Sequence, residues 1–261
     1  MAVAVVAGVF GSMLGVGGGI VMVPMLSLAF GAPIKVAIAT SIVCVIATSS
    51  MAQTTFASRG MTNMRLGMLL EVATCVGAVA GGVTAVLIDG RVLQFCFAAV
   101  LVYVAWQMNR RGGDVAPVRT GALEACYYDA AAGHYVEYGV RRTRLGFVLS
   151  LGAGNVSGLL GVGGGAFKVP IMNLLMGVPF KAAIATSNLM IGITAATGAT
   201  IFYGRGYMDP HYAVPAALGI LAGARLGPRL AVRLSARVLG IIFQVVLLVF
   251  AVLMVVTGLR Q

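Results

Sequence analysis

Charge is scarce in this sequence. Only 10% of the residues are charged, against roughly 25% in soluble domains, and 7 carboxylates are spread over 261 residues. That composition excludes an ordinary soluble domain. Histidine is nearly absent: His134 falls in a polar loop and His211 next to one. No carboxylate pair lies within the apolar segments either, so the groups needed for nucleophilic or general acid–base catalysis inside a membrane are missing. Cysteine occurs four times and never as CxxC; Cys44, Cys75 and Cys96 sit in apolar stretches and Cys126 in a loop. Metal and disulfide frameworks are thereby disfavoured, and the cysteines read as small packing residues. The ten-residue alternation of a membrane β-barrel is absent. No charge precedes the apolar start and Lys35 is the first cation, so the expectation is no cleavable signal, with the first helix acting as its own insertion signal.

What is abundant is apolar length. Hydrophobic residues make up 60% of the chain and mean hydropathy is +1.00. Stretches long enough to span a bilayer run over Val36–Ala57, Leu66–Ile88, Val92–Met108, Ala182–Tyr203, Tyr212–Ala224 (continuing to about Leu234) and Ile241–Gly258. The fold class is an all-α integral membrane protein. The net charge of +11, from 18 cations against 7 anions, reads mostly as the positive-inside rule and attraction to anionic lipid. No nucleic-acid partner is expected.

The chain is duplicated. SMLGVGGGIVMVP, Ser12 to Pro24, returns as GLLGVGGGAFKVP, Gly158 to Pro170, at an offset of 146 (Gly161 against Gly15). The offset holds without a gap through Gly31/Gly177, Pro33/Pro179, Lys35/Lys181, Thr40/Thr186, Ser41/Ser187, Phe56/Phe202, Arg59/Arg205, Gly77/Gly223 and Gly81/Gly227. Between Gly8–Gly60 and Gly154–Gly206, 23 of 53 positions are identical, too many for chance. Internal duplication of this kind is typical of secondary transporters. The organisation is therefore a first transmembrane repeat over 1–109, a linker over 110–144 and a second repeat over 145–261.

Each repeat reads as a glycine-broken element followed by three helices. Neither arm of the broken element is long enough to cross a hydrocarbon core of roughly 30 Å at about 1.5 Å per residue. The two arms form either one interrupted crossing or a re-entrant hairpin. With Lys168 and Arg225 set aside, the hairpin arrangement gathers Arg59, Arg65, six arginines of 110–144, Lys181, Arg229, Arg233 and Arg237 on one side. Lys35, Arg91, Arg205 and Arg260 fall on the other, a ratio of 12 to 4, whereas an interrupted crossing gives 10 to 6. The charge rule favours hairpins and inverted halves. Within the linker, CYYDAAAGHYVEYGVRR alternates aromatic and polar residues about Ala-Ala-Gly and reads as a small cytoplasmic β-hairpin outside the transport path. His134 there reads as a solvated loop residue.

The doubled GVGGG….VP, each followed by G.P.K.A.ATS (Gly15–Pro24 with Gly31–Ser41, Gly161–Pro170 with Gly177–Ser187), resembles the sulfite exporter TauE/SafE family over nearly the whole chain. The linker YYD…GHYVEYGVRR is similar to the cytoplasmic insert of a large prokaryotic branch of that family. The resemblance implies an inner-membrane transporter for sulfite, sulfonates or related organosulfur anions.

The residues themselves suggest how an anion would bind. Gly17, Gly18, Gly19 and Gly163, Gly164, Gly165 let the backbone leave helical geometry, and the helix that follows opens with unpartnered N–H groups at the positive end of its dipole. The simpler role for such glycines is tight packing, which fits Gly77, Gly81, Gly219, Gly223 and Gly227. Thr40 and Ser41, with Thr186, Ser187 and Asn188, offer neutral donors in both copies; their simpler role is bonding back to an i−4 carbonyl. Gln53, whose twin is Ala199, reads as packing glue. Lys168 faces Met22 in the other copy and Arg225 faces Val79, so the duplication demands neither. An ionised side chain at that depth usually marks a substrate or ion path. The plainer alternatives are snorkelling or pairing with Glu71, the one carboxylate clearly within an apolar helix and a candidate coupling residue.

The function expected is secondary transport of a small anion by alternating access, with no metal or redox cofactor. The coupling ion would be a proton or sodium, and a homodimer is entertained as the assembly. A passive anion channel is the nearest rival. A membrane-embedded transferase lacks a catalytic constellation, and a scaffold or insertase would leave the paired glycine breaks without a purpose.

Overall fold

The computed structural model describes residues 2–93 and 122–235 without a gap, with residues 95, 96, 98, 99, 102 and 106 and ten positions between 238 and 256. The expected spans Val92–Met108 and Ile241–Gly258, and the linker over 107–121, lie otherwise outside the described residues.

The first repeat contains α1 (Ala2–Leu14), α2 (Gly19–Ala29), α3 (Ile34–Ser58) and α4 (Met64–Leu87). A hairpin of β1 (Ala122–Asp129) and β2 (His134–Val140) follows. The second repeat supplies α5 (Thr143–Leu160), α6 (Gly165–Pro170) running into a π-helical turn at Ile171–Leu175, α7 (Phe180–Gly204), α8 (Pro210–Ala224) and α9 (Gly227–Arg233). Helices α3, α4 and α7, of 24 or 25 residues, are long and apolar enough to cross a membrane. Along α4, Val72, Val76, Val79 and Val83 form one stripe at helical spacing, each at least 46% exposed. A polar solvent would not tolerate that stripe, and a lipid surface requires it.

The fourth element of the second repeat departs from the expected continuous helix. It breaks at Arg225 and Leu226, where the Leu226 N–H turns back to Gly223 O at 3.0 Å. Pro228 stands where the first repeat has Gly82; having no N–H, it cannot donate to the carbonyl four residues earlier. In the first repeat, α4 runs through unbroken.

The glycine-broken elements double back. Leaving α1, Gly15 takes φ +72°, Gly17 +80° and Gly18 +74°, left-handed conformations that only glycine adopts at low cost. The Val16 and Gly17 N–H groups both close onto Gly11 O, at 3.0 and 3.1 Å, across wider loops than the i→i−4 bonds of the helix they end. Gly18 then passes against Gly11 so closely that a Cβ on Gly11 would lie 2.0 Å from the Gly18 nitrogen. The second copy does the same: Arg141 N–H, just before α5, bonds Met176 O at the far end of the element at 2.9 Å.

The repeats are laced together by exchange. Arm α5 of the second repeat lies in a groove of α4 from the first. A Cβ on Gly81 would sit 1.9 Å from Asn155 O, and one on Gly154 would sit 2.1 Å from Thr74 O. Arm α1 repeats this on the second half, with Gly223 against Val5 O and Gly8 against Ile220 O. Between these pairs, α3 and α7 cross in opposite directions: Ile42 reaches Gly198 while Ser49 reaches Gly192 and Asn188. Their first residues mark opposite ends of the bundle. Lys35 Nζ bonds Val86 O at 2.7 Å, beside the end of α4. Lys181 meets the β-hairpin, which packs at Asn63 where α4 begins.

The strands pair antiparallel, Cys126 with Glu137 and Asp129 with His134. Tyr127 and Tyr138 are buried on the inner face and Tyr135 is exposed on the outer; burial pushes the Tyr138 phenol up to about 12. Asp129 does two jobs. Its carboxylate accepts the turn N–H groups of Ala131 and Ala132 and the Lys181 ammonium at 2.6 Å. Partial burial works to raise its carboxyl, but Lys181 and the two N–H groups outweigh that and hold it below the ordinary aspartate value. The latch is therefore intact at neutral pH and is lost only as pH falls through that lowered value.

The glycine seam gives a direct expectation. Gly81→Ala should lower stability by about 1–3 kcal/mol, because the methyl can be placed only by parting two backbones. Gly152→Ala, on α5 with nothing within 4 Å, should be neutral or stabilise by ~0.5–1 kcal/mol. Melting of the two purified variants checks this, and equal melting temperatures would show that the seam is loose.

Candidate functional site

Both glycine breaks converge on the α3–α7 crossing. A Cβ on Gly17 or on Gly163 would strike the same two side chains, Val45 of α3 and Ile191 of α7. Gly19 abuts Gly161 and Val162, while Gly165 abuts Gly15 and Val16, so each break rests on the other. Two serines fasten the joint symmetrically. Ser41 Oγ donates to Gly161 O and Ser187 Oγ donates to Gly15 O, each at 2.8 Å. A carbonyl freed by the glycine turn in one half is thus satisfied by the other half, as a membrane interior requires.

The expected site residues are therefore partly assembled and partly dispersed. Gly17–Gly19, Gly163–Gly165, Ser41 and Ser187 form the joint, where the glycines serve close approach. Thr186 Oγ1 accepts the Asn63 N–H at 3.0 Å, tying α7 to the start of α4. Thr40 Oγ1 is fully buried without a hydrogen-bond partner among the described residues. Asn188 Nδ2 donates to Ser12 O and Ile184 O at 3.2 and 3.1 Å, while its buried Oδ1 has no partner among the described residues. Arg225 stays apart. It is exposed on the outer surface, as is its twin Val79, where a long side chain can run along the bundle.

Lys168 lies elsewhere in the interior. It belongs to the last turn of the short helix α6, is 1% exposed, and pairs with Glu71 of α4 through Oε2 at 3.1 Å. Thr194 of α7 accepts from Lys168 Nζ at 2.6 Å and donates to Glu71 Oε1 at 2.5 Å. Thr74 Oγ1 donates to Oε2 at 2.7 Å. One residue before Thr194, a neighbouring face of α7 opens on a cleft of about 440 Å³ lined by Ile46, Ser49, Ser50, Gln53, Thr54 and Ala57 of α3 with Leu189, Gly192 and Ile193. Gln53 donates to Thr62 Oγ1 at 3.0 Å, and its buried Oε1 has no partner among the described residues. Sequence reasoning passed over Ser49, Ser50 and Thr194. Ser49, Ser50 and Gln53 had left a signal, because all three twins are alanines: Ala195, Ala196 and Ala199.

A buried charge pair is costly to halve. Lys168→Met leaves the Glu71 carboxylate without its countercharge and should cost about 3–5 kcal/mol, seen as a lower melting temperature at neutral pH. Glu71→Gln added to that variant should restore most of the loss. A single variant that melts like the wild type would show that the pair contributes nothing.

The family described as Sulfite exporter TauE/SafE matches residues 1–254. The chain is 24% identical over 264 residues to "Probable membrane transporter protein YunE" of Bacillus subtilis, an alignment covering 97% of this chain and 95% of that protein. It is 25% identical over 238 residues to "Probable membrane transporter protein MJ0441" of Methanocaldococcus jannaschii, covering 85% and 81%. No solved structure matches the chain. With 254 of its 261 residues inside the family match, both glycine breaks included, the chain belongs to the sulfite exporter TauE/SafE family.

Proposed function

We propose that this protein is a multi-pass inner-membrane secondary transporter that moves a small oxyanion, sulfite or a sulfonate, by alternating access between two inverted halves. One observation carries the reading: a lysine 1% exposed, held by a hydroxyl and a carboxylate, in the short helix that follows a glycine break. Intramembrane cations of this kind attract anionic cargo. The family membership and the relatives' description as membrane transporters support it. The opposed directions of α3 and α7, which are equivalent helices, support inversion, as do the opposite ends taken by Lys35 and Lys181. The Ser49–Gln53 cleft is the natural vestibule, and movement at the Val45–Ile191 joint would pass substrate onward. A joint closed by two branched side chains speaks for a carrier over an open channel.

The test is binding and transport with a panel of sulfite, sulfate, thiosulfate, taurine, sulfoacetate and methanesulfonate. At a hundred-fold excess over its dissociation constant, a substrate should stabilise the purified protein by about 2.7 kcal/mol, visible as a rise in melting temperature. The same compound should enter proteoliposomes at a rate that saturates. If no member binds or enters, the anion reading fails; entry without saturation would make the protein a channel.

Orientation has its own test. Single cysteines at Arg59 and Arg205, exposed twin positions just past the ends of α3 and α7, in a chain with Cys44, Cys75, Cys96 and Cys126 replaced, should react with impermeant reagents from opposite sides. Labelling of both from one side would end the inverted arrangement.

A further inference from the structure

The surroundings of Glu71 have the form of an anion site already filled. Its Oε2 receives Lys168 Nζ at 3.1 Å and Thr74 Oγ1 at 2.7 Å; its Oε1 receives Thr194 Oγ1 at 2.5 Å and Cys75 Sγ at 3.4 Å. One ammonium and two hydroxyls converging on two oxygens is the donor set a sulfur oxyanion would need. The occupant is the chain's own carboxylate.

The other repeat shows that the fold does not require it. The twins of Lys168, Glu71 and Thr74 are Met22, Ala217 and Ile220. Met22 there borders a cavity of about 240 Å³ among α1, α2 and α8, walled by Ala4, Met25, Leu26, His211, Tyr212 and Ala216. The same architecture therefore exists in the same chain without the charge pair. Since well-packed apolar groups generally match or better a buried ion pair in stability, the pair calls for another reason.

Charge balance supplies one. With Glu71 ionised the site is neutral, one cation against one anion. An oxyanion entering beside ionised Glu71 would leave two negative charges on one lysine in a medium that solvates neither. Protonation of Glu71 restores neutrality with the substrate in place. The groups facing the carboxylate are Lys168 from α6, Cys75 and Thr74 from its own helix, and Thr194 from α7, with Thr197 next to Cys75 at 3.5 Å. Helix α5 packs on this turn of α4 through Gly154, on Thr74. Lys168 and Cys75 are the titratable ones among the described residues in contact.

We propose that Glu71 is an internal counter-anion: a proton from water on the open side adds to its carboxylate, breaks the ion pair, and yields Lys168, Thr74 and Thr194 to one singly charged oxyanion. This rests on the transporter reading above and adds to it a coupling ion, a stoichiometry of one proton per anion, and a preference for monovalent cargo. Because the twins Met22 and Ala217 are uncharged, one such exchange occurs per chain and cycle.

Methanesulfonate is the probe, because its charge is constant between about pH 5.5 and about pH 8, so any pH dependence of its binding belongs to the protein. Binding to the purified full-length protein is measured in weak buffer with a pH indicator. Wild type should take up about one proton per methanesulfonate bound, and its affinity should fall by up to about ten-fold per pH unit on the alkaline side. Sulfate, a dianion, should bind at least about ten-fold more weakly. Glu71→Gln, isosteric and uncharged, should bind methanesulfonate with no pH dependence and no proton uptake. A merely structural Glu71 would move none of these readouts. Binding by wild type without proton uptake overturns the proposal, as does a Glu71→Gln protein that keeps the wild-type pH dependence. If that variant does not fold, the proton count on wild type decides alone. Absence of methanesulfonate binding at both pH values defeats the sulfonate reading, and the coupling with it.

Discussion

Everything in this molecule depends on bringing two backbones into contact where water is absent. The seam between α4 and α5, and its counterpart between α8 and α1, place a carbonyl of one helix where a methyl on the other would stand. Such contacts replace the hydrophobic driving force that lipid withholds from helix association. The same close approach lets the glycine breaks interlock, because Gly19 and Gly165 each lie against the opposite turn. Once the turns touch, Ser41 and Ser187 reach across to the carbonyls that the turns expose. The joint is thus built by both halves or by neither.

That mutual dependence has a dynamic side. A joint in which each break supports the other is suited to two discrete arrangements and poorly suited to gradual deformation. Val45 and Ile191 fill the crossing, while hydroxyls and an amide line the cleft beside it. Among the described residues, Thr40 Oγ1, Asn188 Oδ1 and Gln53 Oε1 are buried without a hydrogen-bond partner, as are Ser27 Oγ and Ser150 Oγ. Burial of such atoms without partners is disfavoured, which fits a state that another arrangement or a ligand would relieve.

Charge is used differently from packing. The seams and the serine exchange obey the repeat, whereas Lys168, Glu71 and Arg225 violate it. Lys168 and Glu71 meet in the interior as a pair, and Arg225 turns outward. The ion pair spans the halves, joining the short helix after the second break to a helix of the first repeat and, through Thr194, to the crossing helix. A local charge event there is therefore placed to act on the joint between repeats.

The sequence by itself determined the membrane class, the duplication, the extents of α3, α4 and α7 and the β-hairpin, because these follow from apolar length, strict repetition and strand alternation, all local along the chain. It also marked Lys168 and Glu71 as anomalies, since a charge within an apolar helix is visible without coordinates. It left open whether Lys168 meets Glu71 or stands alone, a contact between residues 97 positions apart. Helix direction, rotation and neighbours decide such a contact, and periodicity carries none of these. The break at Arg225 was obscured by apolar residues on both sides, although Pro228 was there to be weighed. The role of Ser41 and Ser187 was hidden because a hydroxyl bonded within its helix and one reaching another repeat read identically in sequence. Only the tertiary structure decided those questions, because whether a buried polar group is satisfied depends on which distant backbone is folded against it.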